Sequence, residues 1–173
     1  MKNEKLWELI LTDREKRYDL ICEIIEKYKK PVLCGKLNYA GENKNNELSQ
    51  KAFKVLLNLL KDNFKEYMLY EKILEGYDGK AVIMALNISP INAKKLSISI
   101  EDSHPLGRIF DIDIYDLNKV PLSRREFGRS RPCIICTDDA RECIALKKHS
   151  FEEVIKKTDK IIINYFKGDN ENA

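Results

Sequence analysis

Residues Phe110-Asp111-Ile112-Asp113-Ile114 alternate strictly between apolar and acidic side chains. In a β-strand successive side chains point to opposite faces, so this period belongs to a strand and not to a helix. The segment predicts a half-buried strand over residues 108–115. Phe110, Ile112 and Ile114 face a core, and Asp111 and Asp113 lie side by side on the other face. A chain that carries such a strand must build a sheet with at least one closed face.

The rest of the pattern supplies partners for that strand. Thr12 and Glu15 fit a capping box, which predicts a helix starting there, with Tyr18, Ile21, Ile25 and Tyr28 at helical spacing and Pro31 ending it. Residues 31–39 read as a strand and the 41–46 stretch as a polar loop. A second amphipathic helix is expected over 47–65, with Phe53, Leu56, Leu57 and Leu60 on one face. Strands over 68–74 and 80–88 flank the turn signal Tyr77-Asp78-Gly79. Leu96, Ile98 and Ile100 alternate with Ser97, Ser99 and Glu101, which predicts another strand, and residues 116–119 read as a turn. Helix returns after Cys133, above all over 150–166, where Ser150 and Glu153 form a further capping box. Strand runs between helices indicate an α+β fold, with a largely antiparallel or mixed sheet and flanking helices.

With 173 residues, 43% apolar and 34% charged, the chain suits one domain that buries roughly 70% of its unfolded surface. We expect that domain over 1–167, with a Cys/His sub-structure at 131–150 and a disordered tail at 168–173. Thirty-one basic against 28 acidic residues leave a net charge of +3, too balanced to mark a nucleic-acid binder. No apolar run approaches the ~20 residues of a membrane span. The first residues lack the apolar stretch of a secretory signal. The expectation is a cytoplasmic protein whose five cysteines stay reduced.

Asp is disfavoured in strands, so two at alternate positions need a reason. A divalent cation would relieve their repulsion, and Mg²⁺ favours carboxylates together with substrate phosphates. The competing reading is a solvated strand face. Gly107-Arg108, just before the pair, adds a close-approach residue and a bidentate phosphate clamp. His104 can bind phosphate, move a proton or cap a turn. Arg14, Lys16 and Arg17 fall in the first turn of the expected helix, where cations oppose the helix dipole unless an anion binds there. Arg14 and Arg17 are spaced to face one anion. Gly41-x-x-Lys44 suits a phosphate-contacting loop but is no Walker motif, and an ordinary polar loop fits it as well.

Cys133, Cys136, Cys143 and His149 form C-x2-C-x6-C-x5-H, and the first pair has zinc-knuckle spacing. Cys143 and His149 diverge by about 240° on a regular helix, so they meet only if the helix breaks between them. The choice lies between a structural Zn²⁺ site and reduced thiols beside a surface histidine. Cys22 and Cys34 read as small core residues.

The run from Ser103 through Asp113 (SHPLGRIFDID) resembles the signature of the citrate lyase holo-acyl-carrier-protein synthases, which are apo-citrate lyase phosphoribosyl-dephospho-CoA transferases. The likeness extends to Asp13-Arg14-Glu15, Gly41-x-x-Lys44, Leu122-Ser123-Arg124-Arg125 and the four Cys/His positions, with Ala40 standing where the family tends to have Pro. The resemblance implies a nucleotidyltransferase-like fold and reaction. A serine of the apo acyl carrier (gamma) subunit of citrate lyase attacks the α-phosphate of 2′-(5″-triphosphoribosyl)-3′-dephospho-CoA, and diphosphate leaves. In that reading Asp111 and Asp113 hold Mg²⁺, and Arg108 and His104 steady the reacting phosphates. Arg14, Arg17, Gly41, Lys44, Gly107, Ser123 and Arg124 are candidates for binding the donor. Glu101 would be a third carboxylate or the base, and neither membrane nor nucleic acid takes part. Two alternatives stay open: another metal-dependent nucleotidyltransferase with a different acceptor, and a non-catalytic zinc-stabilised binding module.

Overall fold

The computed structural model describes residues 2–41 and 43–171. The elements run α1 (Lys2–Tyr28), β1 (Val32–Leu37), α2 (Glu47–Phe64), β2 (Met68–Leu74), β3 (Ala81–Leu86), α3 (Pro90–Ser103), β4 (Phe110–Tyr115), a 3-10 turn (Arg124–Phe127), α4 (Ala140–Ala145) and α5 (Phe151–Glu171). The four strands form one sheet in the order β2-β3-β1-β4, and every pair is antiparallel. This is the α+β architecture expected from the sequence.

Each face of the sheet is closed by helices. Ile21, Ile24 and Ile25 of α1 pack on Val32, Cys34, Ile83 and Ala85. On the opposite face Phe53, Leu56, Leu60 and Phe64 of α2 meet Leu33, Val82, Met84 and the apolar side of β4, joined by Ile100 of α3 and Ile162 of α5. Asn46 caps α2 by accepting the Ser49 N–H. The alternation in β4 falls as expected: Phe110, Ile112 and Ile114 are buried, and Asp111 and Asp113 share the other face. In register, Cys34 lies opposite Asp113 and Lys36 opposite Asp111.

Three expectations change. Helix α1 begins at Lys2, and the Thr12 hydroxyl donates to the Glu8 carbonyl one turn back, so Thr12 is no N-cap. Arg14, Lys16 and Arg17 therefore sit inside a helix, away from its positive end. Residues 96–100 are helical, not extended: Ser89 caps α3 by accepting the Asn92 N–H, and Pro90 occupies its first turn. The buried face of α3 includes Lys94, Ser97 and Glu101, which hides the helical period of its apolar residues. At the other end of the chain, α5 continues through Gly168 to Glu171. Residues 172 and 173 of the expected tail, like residue 42, lie outside the described residues.

β4 is an edge strand, yet its outer backbone groups find partners. Phe110 N–H donates to the Gly107 carbonyl at 3.1 Å, and Leu122 N–H to the Ile114 carbonyl at 2.9 Å. Between them, Glu101 accepts the Ile112 N–H at 2.9 Å and Lys94 donates to the Ile112 carbonyl at 3.0 Å. Helix α3 thus closes the edge with a charged pair in place of a fifth strand. Gly107 makes this possible, because a Cβ there would sit 2.0 Å from the Glu101 carbonyl oxygen. The close approach that Gly107 permits is to this helix. Gly107→Ala is expected to lower stability by about 2 kcal/mol, read as a lower urea midpoint with an unchanged slope.

Candidate active site

A cleft of about 470 Å³ opens beside the outer edge of β4. Asp111 and Asp113 lie in its wall with Lys94, Arg108, Arg124 and Arg131, and Ser123 also borders it. Ser123 caps the 3-10 turn, accepting the Arg125 N–H at 3.3 Å, and so places Arg124. A smaller hollow of about 210 Å³ shares Arg108, Arg124 and Arg131 and adds His104, Gly107 and Glu101. The structure therefore gathers Asp111, Asp113, Arg108, Arg124, Glu101, Gly107, Ser123 and His104 into one neighbourhood.

Glu101 organises it. Its side chain is 3% exposed. One oxygen accepts the Ile112 N–H and Arg131 Nη2 at 2.7 Å, and the other takes Arg124. With both oxygens engaged, Glu101 orients arginines and does not stand open as a base. His104 likewise acts locally. It follows the last turn of α3, its Nδ1 accepts the Leu106 N–H at 3.0 Å, and its ring stacks on Phe110.

The two strand carboxylates differ. Asp111 pairs with Lys36 and, at 3.4 Å, with Arg131. Burial raises its pKa, but those cations outweigh burial and hold it low. Asp113 accepts no hydrogen bond among the described residues, and burial plus the Asp111 charge raise its pKa. Burial lowers the pKa of Lys94 despite Asp113, Glu101 and Asp111 nearby. Arg108 is also depressed, first by burial and then by Arg131. Arg108 Nη1 and Arg124 Nε are buried without a partner among the described residues. Buried donors without acceptors are costly, so a cleft built this way suits an anionic ligand. The carboxylate pair beside them suits a divalent cation.

Arg14, Arg17 and Lys44 do not line this cleft. They meet on Asp78 in the β2–β3 turn, at 3.2, 2.9 and 2.6 Å. The spacing of Arg14 and Arg17 does bring both to one anion, and that anion belongs to the protein. Gly41, with φ +110, sits at the head of the Lys44 loop. The hollow beside Lys44 holds only about 10 Å³, room for one water and not for a phosphate.

The Cys/His cluster assembles as a metal site would require. The ligand atoms of Cys133, Cys136, Cys143 and His149 all lie within 4.8 Å of one another. Cys136 Sγ is 3.4 Å from Cys143 Sγ and 3.1 Å from His149 Nε2. α4 ends at Ala145, and Lys147 takes a positive φ of 49°, which supplies the break that lets Cys143 and His149 converge. Ser150 and Glu153 cap α5 reciprocally, at 3.2 and 2.7 Å, directly after His149. Cys34, by contrast, is buried in β1 and its thiol is pushed up to about 12, which rules out a nucleophile at neutral pH. All five cysteines are free thiols.

Sequence reasoning missed Lys36, Lys94, Arg131 and Asp78. Lys36 was within reach of it, because strand alternation places that residue two positions after Cys34 on the same face. The other three owe their place to long-range packing, for which no local signal exists.

Residues 6–165 match the family described as apo-citrate lyase phosphoribosyl-dephospho-CoA transferase. The chain belongs to that family. It is 30% identical over 162 residues to Protein CitXG of Haemophilus influenzae, covering 91% of this chain but 35% of that protein. The chain thus spans about a third of the length of such CitXG relatives. Proteins named probable apo-citrate lyase phosphoribosyl-dephospho-CoA transferase from Streptococcus pyogenes serotype M18 and Vibrio cholerae serotype O1 are 25% and 27% identical, over 95% and 90% of this chain and 88% and 90% of their own lengths. Among the described residues, no helix of this transferase-family member is long and apolar enough to cross a membrane.

Asp78 gives a pH test of the structural cluster. Its carboxyl is lowered from 3.8 to about 2: burial raises it, and Arg14, Lys44 and Arg17 outweigh burial. A depressed carboxylate stabilises the fold above its unfolded pKa and loses that contribution as pH falls through the folded one. Asp78→Asn is expected to lower the thermal midpoint at pH 7, with the gap to wild type closing between about pH 4 and pH 2. A gap that stays constant across that window would disprove the ion-pair account.

Proposed function

We propose that the chain attaches the prosthetic group of citrate lyase. It transfers the phosphoribosyl-dephospho-CoA unit from 2′-(5″-triphosphoribosyl)-3′-dephospho-CoA to a serine of the apo acyl carrier subunit, and diphosphate leaves. Family membership supplies the reaction class. The observation in the structure that best supports the reading is the pair of buried guanidinium nitrogens on Arg108 and Arg124 that have no partner among the described residues, beside the Asp111–Asp113 face.

In this reading Arg108, Arg124 and Arg131 bind and orient the triphosphate. Arg108 is held by the Pro132 carbonyl, and Arg124 and Arg131 by Glu101, so the donors are fixed before the ligand arrives. Lys94 adds charge at the floor while tying down β4. Asp111 and Asp113 would hold Mg²⁺, which when bound supplies charge neutralisation to the phosphates. Lys36, paired with Asp111, balances the carboxylates on the strand side. The serine oxygen forms its bond to the α-phosphorus as the bond to the departing diphosphate breaks. His104, beside Arg108 in the smaller hollow, keeps that loop in place. Arg14, Arg17, Gly41 and Lys44 act as scaffold through Asp78. The nucleotidyltransferase-like character rests on this chemistry, with residues 1–167 as one transferase unit and 131–150 as its metal-binding part. The Cys/His group would hold zinc, a structural ion with four protein ligands and no open position. A cytoplasmic setting that keeps the five thiols reduced accords with it, and the reading gives neither membrane nor nucleic acid a role.

Two measurements test this. Apo carrier subunit incubated with the protein, the triphosphate donor and Mg²⁺ should gain the mass of the prosthetic group, and EDTA should prevent it. Asp111→Asn and Asp113→Asn should each slow transfer at least roughly a hundredfold, with an unchanged thermal midpoint in Asp113→Asn and a lowered one in Asp111→Asn, which breaks the pairs with Lys36 and Arg131. Wild-type rates in either folded variant would sink the metal-pair assignment, and wild-type failure on a competent carrier would favour another acceptor. Separately, the purified chain should contain one zinc per molecule. Cys136→Ser should release it and lower the thermal midpoint by several degrees, on the order of 1–2 kcal/mol of stability.

A further inference from the structure

The three most exposed large apolar side chains among the described residues sit together in sequence on the metal-binding part. They are Ile144 at 76%, Leu146 at 67% and Phe151 at 59%. Ile144 lies in α4, Leu146 at its C-cap and Phe151 at the start of α5, and Cys143 is the only buried residue of α4. A six-residue helix anchored by one candidate metal ligand contributes almost nothing to the core. Its exposed aliphatic side chains therefore have no role in folding, and such clusters mark interaction surfaces.

Position and charge identify the partner. Ile144 and Arg141 border the cleft that contains Asp111 and Asp113, and Arg125 and Arg129 stand at the same mouth. Arg129, Arg141 and Lys147 have no ion-pair partner among the described residues, whereas Arg125 is paired with Asp139 and Lys148 with Asp138. The mouth therefore presents the exposed Ile144 side chain beside the unpaired cations Arg129 and Arg141, with Leu146, Lys147 and Phe151 following it in the chain. We propose that α4, the 146–150 turn and the start of α5 at Phe151 are the docking surface for the acceptor protein, which meets it with an apolar contact ringed by carboxylates next to the serine to be modified. The inference rests on the proposed transfer: a serine on a folded protein reaches Asp111 and Asp113 only if its carrier seats on this mouth. It also gives the Cys/His group a role, because the same turn that closes the metal site sets the angle of the docking helix.

The test uses full-length protein carrying Ile144→Asp and Leu146→Asp together, and a second variant, Arg141→Glu. Titration with apo carrier subunit should show affinity at least tenfold weaker in both, with the loss in Arg141→Glu shrinking at high salt. Transfer should show a raised KM for the carrier with an unchanged maximal rate. Zinc content and affinity for the triphosphate donor should match wild type. If the aspartate pair loses zinc, Ile144→Ser alone is measured in its place, with the same expectation in direction. Wild-type transfer with unchanged carrier affinity in these variants overturns the docking assignment alone. Absence of transfer by the wild-type protein overturns the reading beneath it as well. Sedimentation without carrier covers the other occupant: a wild-type dimer that Ile144→Asp dissociates assigns the patch to self-association and overturns the proposal.

Discussion

Glu101 takes the Ile112 N–H and Arg131 on one oxygen and Arg124 on the other. From that buried carboxylate the rest of the cleft can be traced. Its bond to the backbone fixes the edge strand against α3, so Asp111 and Asp113 project at a set height. Its bonds to the two arginines fix the opposite wall. A buried charge is tolerable only when fully partnered, and here three donors share it. Lys94, bonded to the carbonyl of the same Ile112, closes the pair of backbone groups that an added strand would otherwise claim. The site and the sheet edge are thus one construction, and the residues that stop the sheet from growing also aim the arginines.

The molecule uses its cations in two distinct ways. Around Asp78, three basic side chains converge on a protein carboxylate and are satisfied by it, which ties α1, the β2–β3 turn and the Lys44 loop together. Around β4, Arg108 and Arg124 keep buried nitrogens without acceptors among the described residues. Basic residues near a glycine loop look alike in both settings when read as sequence. What separates the two is whether donor nitrogens are left over: Arg124 keeps an unpartnered Nε among the described residues although Glu101 holds another of its nitrogens.

That contrast explains what was legible beforehand. The strict alternation of 110–114 placed β4 and its two faces correctly, because a strand half-buried on a core has few other ways to be encoded. The hairpin at Asp78-Gly79 and the break at Pro31 were legible for similarly local reasons. α3 was misread because Lys94 and Glu101 turn inward to bond the β4 backbone and Ser97 is buried with its hydroxyl on the Ala93 carbonyl, so polar residues occupy the positions where helical periodicity needs apolar ones. The Thr12 start was misread because the first turns of α1 bury little, so no apolar stripe marks them, and a chance Thr-x-x-Glu looked like a boundary. The Arg131 bridge and the Asp78 hub depend on residues far apart in the chain, and no pattern within a single window reports them.

The compact Cys/His segment has a kinetic consequence. Every ligand of the Cys/His group lies between Cys133 and His149, so the site closes through short loops at small entropic cost. The sheet is the opposite case. β1 must find β3 across an intervening helix and strand, and then β4 across still more chain, so its central contacts are non-local and slow to form. With metal present, the knuckle can nucleate on its own time scale and wait, already shaped, for the sheet to reach it.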